Sequence, residues 1–272
     1  LDEEVVGVRV LVTGSEGFIG KHVVKALEER GVEVVGVDKK TGTDLSSDLW
    51  IHDLYASQPR AIIHLASTCS TPGSVRDPVT TFRDTVITAA HMTDLARLLR
   101  VPFILTSSVK ARDGMTPYGA AKRMAETWAL EYRSAYGLPV IINRPGTIYG
   151  PGQEGSDESG WIAWFLQAKE EGKPVTVNGD GEQVRDLLHV DDYVRLLLLQ
   201  LDAPRDYVGR VWDVGGGAEN VVSVIGMVRH LRLDYVLGPE RYGDSRSYVG
   251  VNDVPVWNPL IRWQNSETFR DL

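Results

Sequence analysis

The chain has 272 residues, 43% hydrophobic and 24% charged, which suits a globular protein of one large domain or two intimate ones. Its net charge of −8 supplies no basic stripe to neutralise phosphates, which argues against a nucleic-acid partner and requires any anionic substrate to be met by a local cluster of Arg. The one cysteine, Cys69, excludes an intramolecular disulfide framework and suits a reducing, cytoplasmic setting; the acidic opening Leu1–Glu4 is unlike a signal peptide, and the apolar run Val194–Leu201 is far too short to span a membrane.

Val8, Val10, Leu11 and Val12 form a short apolar run of the kind a buried parallel strand needs. A turn with glycines at Gly14, Gly17 and Gly20 follows, then a helical stretch over Lys21–Arg30. Gly14 allows a sharp turn, Gly17 lets backbone N–H groups approach a pyrophosphate, and Gly20 lets helix and strand pack closely. The positive end of the helix then faces the anion. A second strand, Glu33–Val37, ends in Asp38, placed to accept hydrogen bonds from an adenosine ribose and to repel a 2′-phosphate. Lys39 and Lys40 partly offset that repulsion. The alternative reading of the glycines alone is an ordinary tight turn; strand before, helix after and acid at the end of the next strand favour a dinucleotide.

Further along, Arg60–Ala66 and Val101–Ser107 read as buried strands flanking a helical stretch over Pro78–Arg100. A long helix is predicted over Thr116–Tyr136, with Pro117 near its start and Gly137 after its end, followed by a strand over Pro139–Asn143. Strands alternating with helices imply a doubly wound parallel α/β sheet. Gly150–Gly160 is loop-like; Trp161–Glu171 is helical, Val175–Val177 and Val184–Leu188 are short strands, and Asp191–Leu201 is an apolar helix. Val211–Val214 returns to the main sheet. The expected division is a dinucleotide-binding domain over 1–150, rejoined around 186–216, and a smaller substrate-binding α/β lobe made of 151–185 and 217–272.

Tyr118 and Lys122 are spaced i,i+4 at the start of the long helix, so their side chains share a face. An ammonium beside a phenol stabilises the phenolate and lowers its pKa towards neutrality, as a general base requires. Ser108, at the end of the preceding strand, is placed to hydrogen-bond a reacting hydroxyl while Tyr118 takes its proton. The plainer alternative is an exposed Tyr–Lys pair on a helix surface. His64 and His189 lie within apolar strands and read as core histidines, and Cys69 reads as a packing residue. No metal-ligand cluster is expected.

The glycine spacing TGSEGFIG, followed by Asp38, resembles the extended short-chain dehydrogenase/reductase family, and in particular its NAD-dependent nucleotide-sugar epimerases and dehydratases. HLAS at His64–Ser67, SVRDP at Ser74–Pro78, PYGAAK around Tyr118, RPGTIYGPGQ at Arg144–Gln153, GDGEQVRDLLHVDD at Gly179–Asp192, DVGGG at Asp213–Gly217 and RYGD at Arg241–Asp244 extend the likeness over nearly the whole chain. The resemblance implies a Rossmann-type fold, NAD as cofactor, a nucleotide-diphosphate sugar as substrate, and a homodimer formed through the helices Pro78–Arg100 and Thr116–Tyr136. It implies that Phe18, Ile19, Asp44, Leu45, Leu65, Ala66, Ser67 and Pro145 accompany the glycines and Asp38 around the cofactor. Lys122 would also hold the nicotinamide ribose. Arg185 and Arg241 would bind the substrate diphosphate, with Thr147, Val177 and Asp244 nearby; the alternative for the arginines is surface salt bridging.

Some positions depart from the family pattern. Thr85 and Thr147 stand where relatives usually carry Asn, the segment from Asp38 to Asp44 is short, and only ten positions separate Ser108 from Tyr118 (118 − 108). A trimmed, more open active-site rim is the expected consequence. Val109 and Lys110 occupy the places where dehydratases and decarboxylases of the family keep carboxylates for work at C5 and C6. Epimerisation at C4 of a nucleotide-linked hexose through a 4-keto sugar is therefore the expectation. A dehydratase, a keto-sugar reductase, a C2 epimerase and a non-catalytic dinucleotide sensor or scaffold are the alternatives.

Overall fold

The computed structural model describes residues 8–250, 252–255 and 257–269; the acidic opening Leu1–Glu4 lies outside them. Strands β1 (Arg9–Thr13), β2 (Glu33–Val37), β3 (Ala61–His64), β4 (Phe103–Thr106), β5 (Val140–Pro145) and β9 (Val211–Val214) form one sheet in the order β2-β1-β3-β4-β5-β9, every pair parallel. Parallel strands need crossover helices, and helices cover both faces of this sheet. Alternation along each strand divides the core. Val10, Val12, Ile63, Ile104 and Ile141 face α1 (Phe18–Glu28) and α8 (Val190–Asp202), whereas Leu11, Ile62, Phe103, Leu105 and Ile142 face α5 (Thr88–Leu99) and α6 (Pro117–Tyr136). This is the doubly wound, Rossmann-type arrangement expected. The strand order reverses between β1 and β3, so a crevice opens beyond their carboxyl ends.

The stretch expected as one helix over Pro78–Arg100 comprises α4 (Pro78–Phe82), a π-helical segment Arg83–Ile87 and α5, closed by Arg100 in a left-handed conformation. Helix α6 begins with Thr116, whose hydroxyl accepts the Gly119 N–H, and with Pro117 in its first turn; it ends at Gly137 with φ +69°. Two short helices went unanticipated before this point, α2 (Ile51–Ala56) and α3 (Thr71–Arg76).

The second lobe is built on β6 (Thr147–Tyr149), β7 (Val175–Asn178), β8 (Val184–His189), β10 (Val221–Ser223), β11 (Tyr235–Gly238) and β12 (Ser247–Tyr248), with α7 (Trp161–Glu170) and α9 (Val224–Leu231). Strand β8 pairs with β6, β10 and β12, and β11 pairs with β7. The chain therefore returns to the main sheet through α8 and β9, while β8 stays in the lobe. Ile162, Phe165, Val175, Val177, Ile225 and Leu231 form the lobe's own core. Among the described residues no helix is long and apolar enough to cross a membrane.

Candidate active site

A cleft of about 840 Å³ runs between the main sheet and the lobe, lined at one end by Gly14, Gly17, Phe18, Ile19 and Gly20, and at the other by Arg185, Arg241 and Asp244. At the first end the glycines are sterically required. Gly14 has φ +73°, and a Cβ there would lie 2.9 Å from the Ala66 nitrogen; a Cβ at Gly20 would lie 2.0 Å from the Gly14 carbonyl oxygen. Gly17 caps α1 without a side-chain bond, and no acidic residue occupies the first helical turn, so the N–H groups there face the cleft unopposed. Asp38 stands next to this turn: its carboxylate accepts the Glu16 N–H at 3.0 Å and the Lys40 N–H at 2.8 Å, which fixes its orientation at the end of β2. The cradle fits a dinucleotide pyrophosphate, with Asp38 placed for a ribose.

Leu65, Ser67 and Pro145 line the cleft, whereas Asp38, Asp44, Leu45 and Ala66 do not. Leu45 is buried, and Asp44 accepts the Ser46 hydroxyl at 2.7 Å and pairs with Lys39 at 3.4 Å. That pairing, with a second to Asp84 at 3.2 Å, ties down one of the two lysines expected to offset a 2′-phosphate.

The cap and proline that start α6 set Tyr118 and Lys122 on its cleft-facing side, and Ser108 follows β4 opposite them. Ser108 lies beside Tyr118 in the cleft lining, close enough to act on its phenol. Lys122 Nζ lies 6.0 Å from the Tyr118 ring centre and donates to Ser67 Oγ at 2.7 Å and to the Thr106 carbonyl at 2.9 Å. The three residues thus converge, but the expected depression of the phenol's pKa is not found. Burial pushes Tyr118 up to about 12, against a smaller opposing effect of Ser108. Burial likewise brings Lys122 down to about 8, with Cys69 and the Glu126 carboxylate pulling it back up. Desolvation dominates both groups, and Lys122 spends its donors on Ser67 and Thr106.

At the far end Arg185 is buried, ion-paired with Asp244, and stacked 4.8 Å from the Tyr248 ring centre. Arg241 donates to the Asp157 carbonyl at 2.6 Å; with the Asn178 amide oxygen turned towards it, its guanidinium also donates to Asn178 at 2.9 and 3.0 Å. Salt bridging and a place in the cleft therefore coexist for Arg185. Thr147 lines the cleft. Val177 does not: it is fully buried in the lobe's core, and the alternation of β7 sends its neighbours Thr176 and Asn178 to the cleft instead.

Cys69 is exposed on the cleft wall, correcting its reading as a packing residue; it follows β3 where the chain leaves the sheet. His64 is buried as expected, bonded to Thr13 at 2.7 Å, and burial holds its imidazole down at about 3. His189 is buried too. Thr85 is buried within the π-helical segment, 3.4 Å from the Thr68 hydroxyl, so it is not presented to the cleft. The lining also contains Trp161 and Trp164, legible only as helix residues in the sequence, and Lys110, singled out there only as a departure.

Residues 10–215 match the model of the NAD-dependent epimerase/dehydratase family. The chain is 31% identical to UDP-glucose 4-epimerase of Mycolicibacterium smegmatis over 93% of its length and 94% of that protein's. In structure it is similar to UDP-glucose 4-epimerase of Thermotoga maritima bound to UDP-glucose, with a TM-score of 0.88, 26% identity and coverage of 96% and 97% of the two chains. It is also similar to MoeE5 in complex with UDP-glucuronic acid and NAD, with a TM-score of 0.83, 29% identity and coverage of 93% and 94%. Spanning three quarters of the chain, from the first strand of the sheet to the last, the family match places this protein in the NAD-dependent epimerase/dehydratase family.

Proposed function

We propose that the protein is an NAD-dependent nucleotide-sugar epimerase that inverts C4 of a hexose carried on a nucleoside diphosphate. The observation that carries the reading is the convergence of Ser108, Tyr118 and Lys122 in one cleft, between a glycine cradle at one end and Arg185 and Arg241 at the other. The two guanidiniums suit the diphosphate, and the Trp161 and Trp164 rings on α7 offer faces for a nucleobase. Bound NAD supplies a hydride acceptor and donor, so the sugar carbon is oxidised and then reduced with no net redox change. Ser108 holds the C4 hydroxyl, and Tyr118 takes its proton in the first step and returns it in the second. With its phenol at about 12 the resting Tyr118 carries its proton, which suits the returning step; Lys122 supplies the local positive charge for the outward one.

Elimination of water needs an acid and a base at C5 and C6. Val109 is buried and Lys110 is a cation, so the positions that carry carboxylates in dehydratases do not serve that chemistry here. The nucleotide is read as uridine from the proteins this chain resembles. A preference for NAD over NADP follows from Asp38. The reading extends to a homodimer, because Val79, Phe82, Met124 and Trp128 expose apolar surface on α4 and α6. It extends also to a cytoplasmic setting, where the exposed Cys69 thiol stays reduced. Incubation with UDP-glucose or UDP-glucuronate and proton NMR of the mixture tests the reaction: the C4 epimer accumulating towards equilibrium supports it, and no conversion of any UDP-hexose or UDP-hexuronate sinks it.

A further inference from the structure

Lys110 is the strongest feature of the cleft that the proposed reaction does not use. It sits two residues after Ser108, in a short 3-10 turn over Val109–Ala111 that is tied down on several sides. Its own N–H donates to Ser108 Oγ at 3.3 Å, the Ala111 N–H donates to the Ser108 carbonyl at 2.9 Å, and the Gly114 N–H donates to the Lys110 carbonyl at 3.2 Å. Helix α6 presses against the same turn through Gly119, where a Cβ would lie 2.5 Å from the Lys110 carbonyl oxygen. The backbone of Lys110 is therefore fixed relative to the reacting end of the cleft.

Its side chain points into the cleft. Nζ donates to Thr71 Oγ1 at 2.6 Å and lies 5.3 Å from the centre of the Tyr248 ring, the ring that also carries Arg185. Among the described residues no carboxylate forms an ion pair with it, whereas Arg185 has Asp244. The charge balance is informative. A nucleoside diphosphate brings two negative charges at its phosphates, and Arg185 and Arg241 suit them. Lys110 is a further cation of the same cleft, where Arg76 and Lys122 also stand with Glu154, Asp157 and Glu158, and its turn follows Ser108 directly, where the sugar and not the nucleotide is to be held. Asp244, already paired with Arg185, and Asp113 act on the Lys110 ammonium without reaching ion-pair distance, so burial still disfavours its charge, and a substrate anion would offset that cost.

We propose that Lys110 determines sugar specificity by pairing with a carboxylate at C6, so that the preferred substrate is a nucleotide-linked uronic acid and not the neutral hexose. This rests on the proposed nucleotide-sugar reading. Within that reading it assigns the sugar end of the site to an acidic substrate class.

The test compares binding of UDP-glucuronate, UDP-glucose and UDP to the NAD-loaded protein by calorimetry, in the wild type and in Lys110→Met and Lys110→Arg. The wild type should bind UDP-glucuronate at least tenfold more tightly than UDP-glucose. Lys110→Met should bring that ratio down to about one, and Lys110→Arg should restore most of it; unchanged thermal melting of both variants excludes misfolding as the cause. An equal loss for both sugars and for UDP would put Lys110 on the diphosphate and overturn the proposal, as would a wild type with no preference for the uronate. Because the readout is binding, a preference lost in Lys110→Met stands even if no epimer forms, whereas failure of all three ligands to bind would overturn this proposal together with the nucleotide-sugar reading.

Discussion

Tyr118 faces two opposed demands. It must give up its proton to act as a base, yet burial holds its phenol up to about 12 against a smaller lowering effect of Ser108. Lys122, brought down to about 8 by burial, is the nearby cation whose charge favours the phenolate. Tyr118→Phe should therefore lower turnover on the order of a hundredfold or more while leaving NAD binding intact, which fluorescence titration with cofactor would check. Lys122→Met should weaken cofactor binding as well as rate. Since Lys122 loses its charge as pH rises through about 8, wild-type kcat/KM should fall on the alkaline side of that value; a profile still climbing at pH 9 would contradict its role. For Asp38 the expected role is cofactor choice, by a different means. Its carboxylate is locked by two backbone N–H groups beside the glycine turn, so Asp38→Ala should narrow the preference for NAD over NADP. Equal affinity of the wild type for both cofactors would refute that account.

At the scale of elements, α6 organises the site. Its first turn presents Tyr118, its second Lys122, and its third Glu126, which Ser107 and Arg144 both engage. The close passage of Gly119 over the Lys110 carbonyl joins this helix to the turn after Ser108. A methyl group there meets backbone and not a flexible side chain, so Gly119→Ala should force the two elements apart at a cost of about 1–3 kcal/mol. A drop of at least tenfold in kcat/KM with the fold retained by circular dichroism is expected; undiminished activity would show that the spacing is not critical. Much of this element was legible in the sequence, because proline, threonine cap and terminal glycine mark a long helix at both ends. Val177 was not placed correctly, since three alternating residues do not reveal which face of a short strand meets the core. Strand β11 escaped for a related reason, because Tyr235, Val236 and Leu237 are all exposed and no buried periodicity marks it, and β12, Ser247–Tyr248, is too short to show a period.

At the scale of the molecule, the parallel sheet could be read because each of its strands is an apolar run between helices, and a dinucleotide site could be read from the glycine turn, whereas the reversal of strand order that opens the cleft emerges only in the fold. The lobe was less legible, because its strands are short and its sheet is assembled from segments distant in sequence, such as β6, β8 and β12. The protonation of Tyr118 and the exposure of Cys69 depend on packing that no local pattern encodes. The apolar surface left on α4 and α6 predicts self-association: light scattering should return twice the mass of one chain, and Trp128→Glu should shift it towards one. A monomer at all concentrations would remove the dimer. The central claim, however, is the chemistry at the junction of sheet and lobe. Proton NMR of the NAD-loaded protein with a UDP-hexose or its uronate should show the C4 epimer growing towards equilibrium, with no water lost and no net change in NAD; a 4-keto-6-deoxy sugar, or stoichiometric consumption of added NADH, would contradict it.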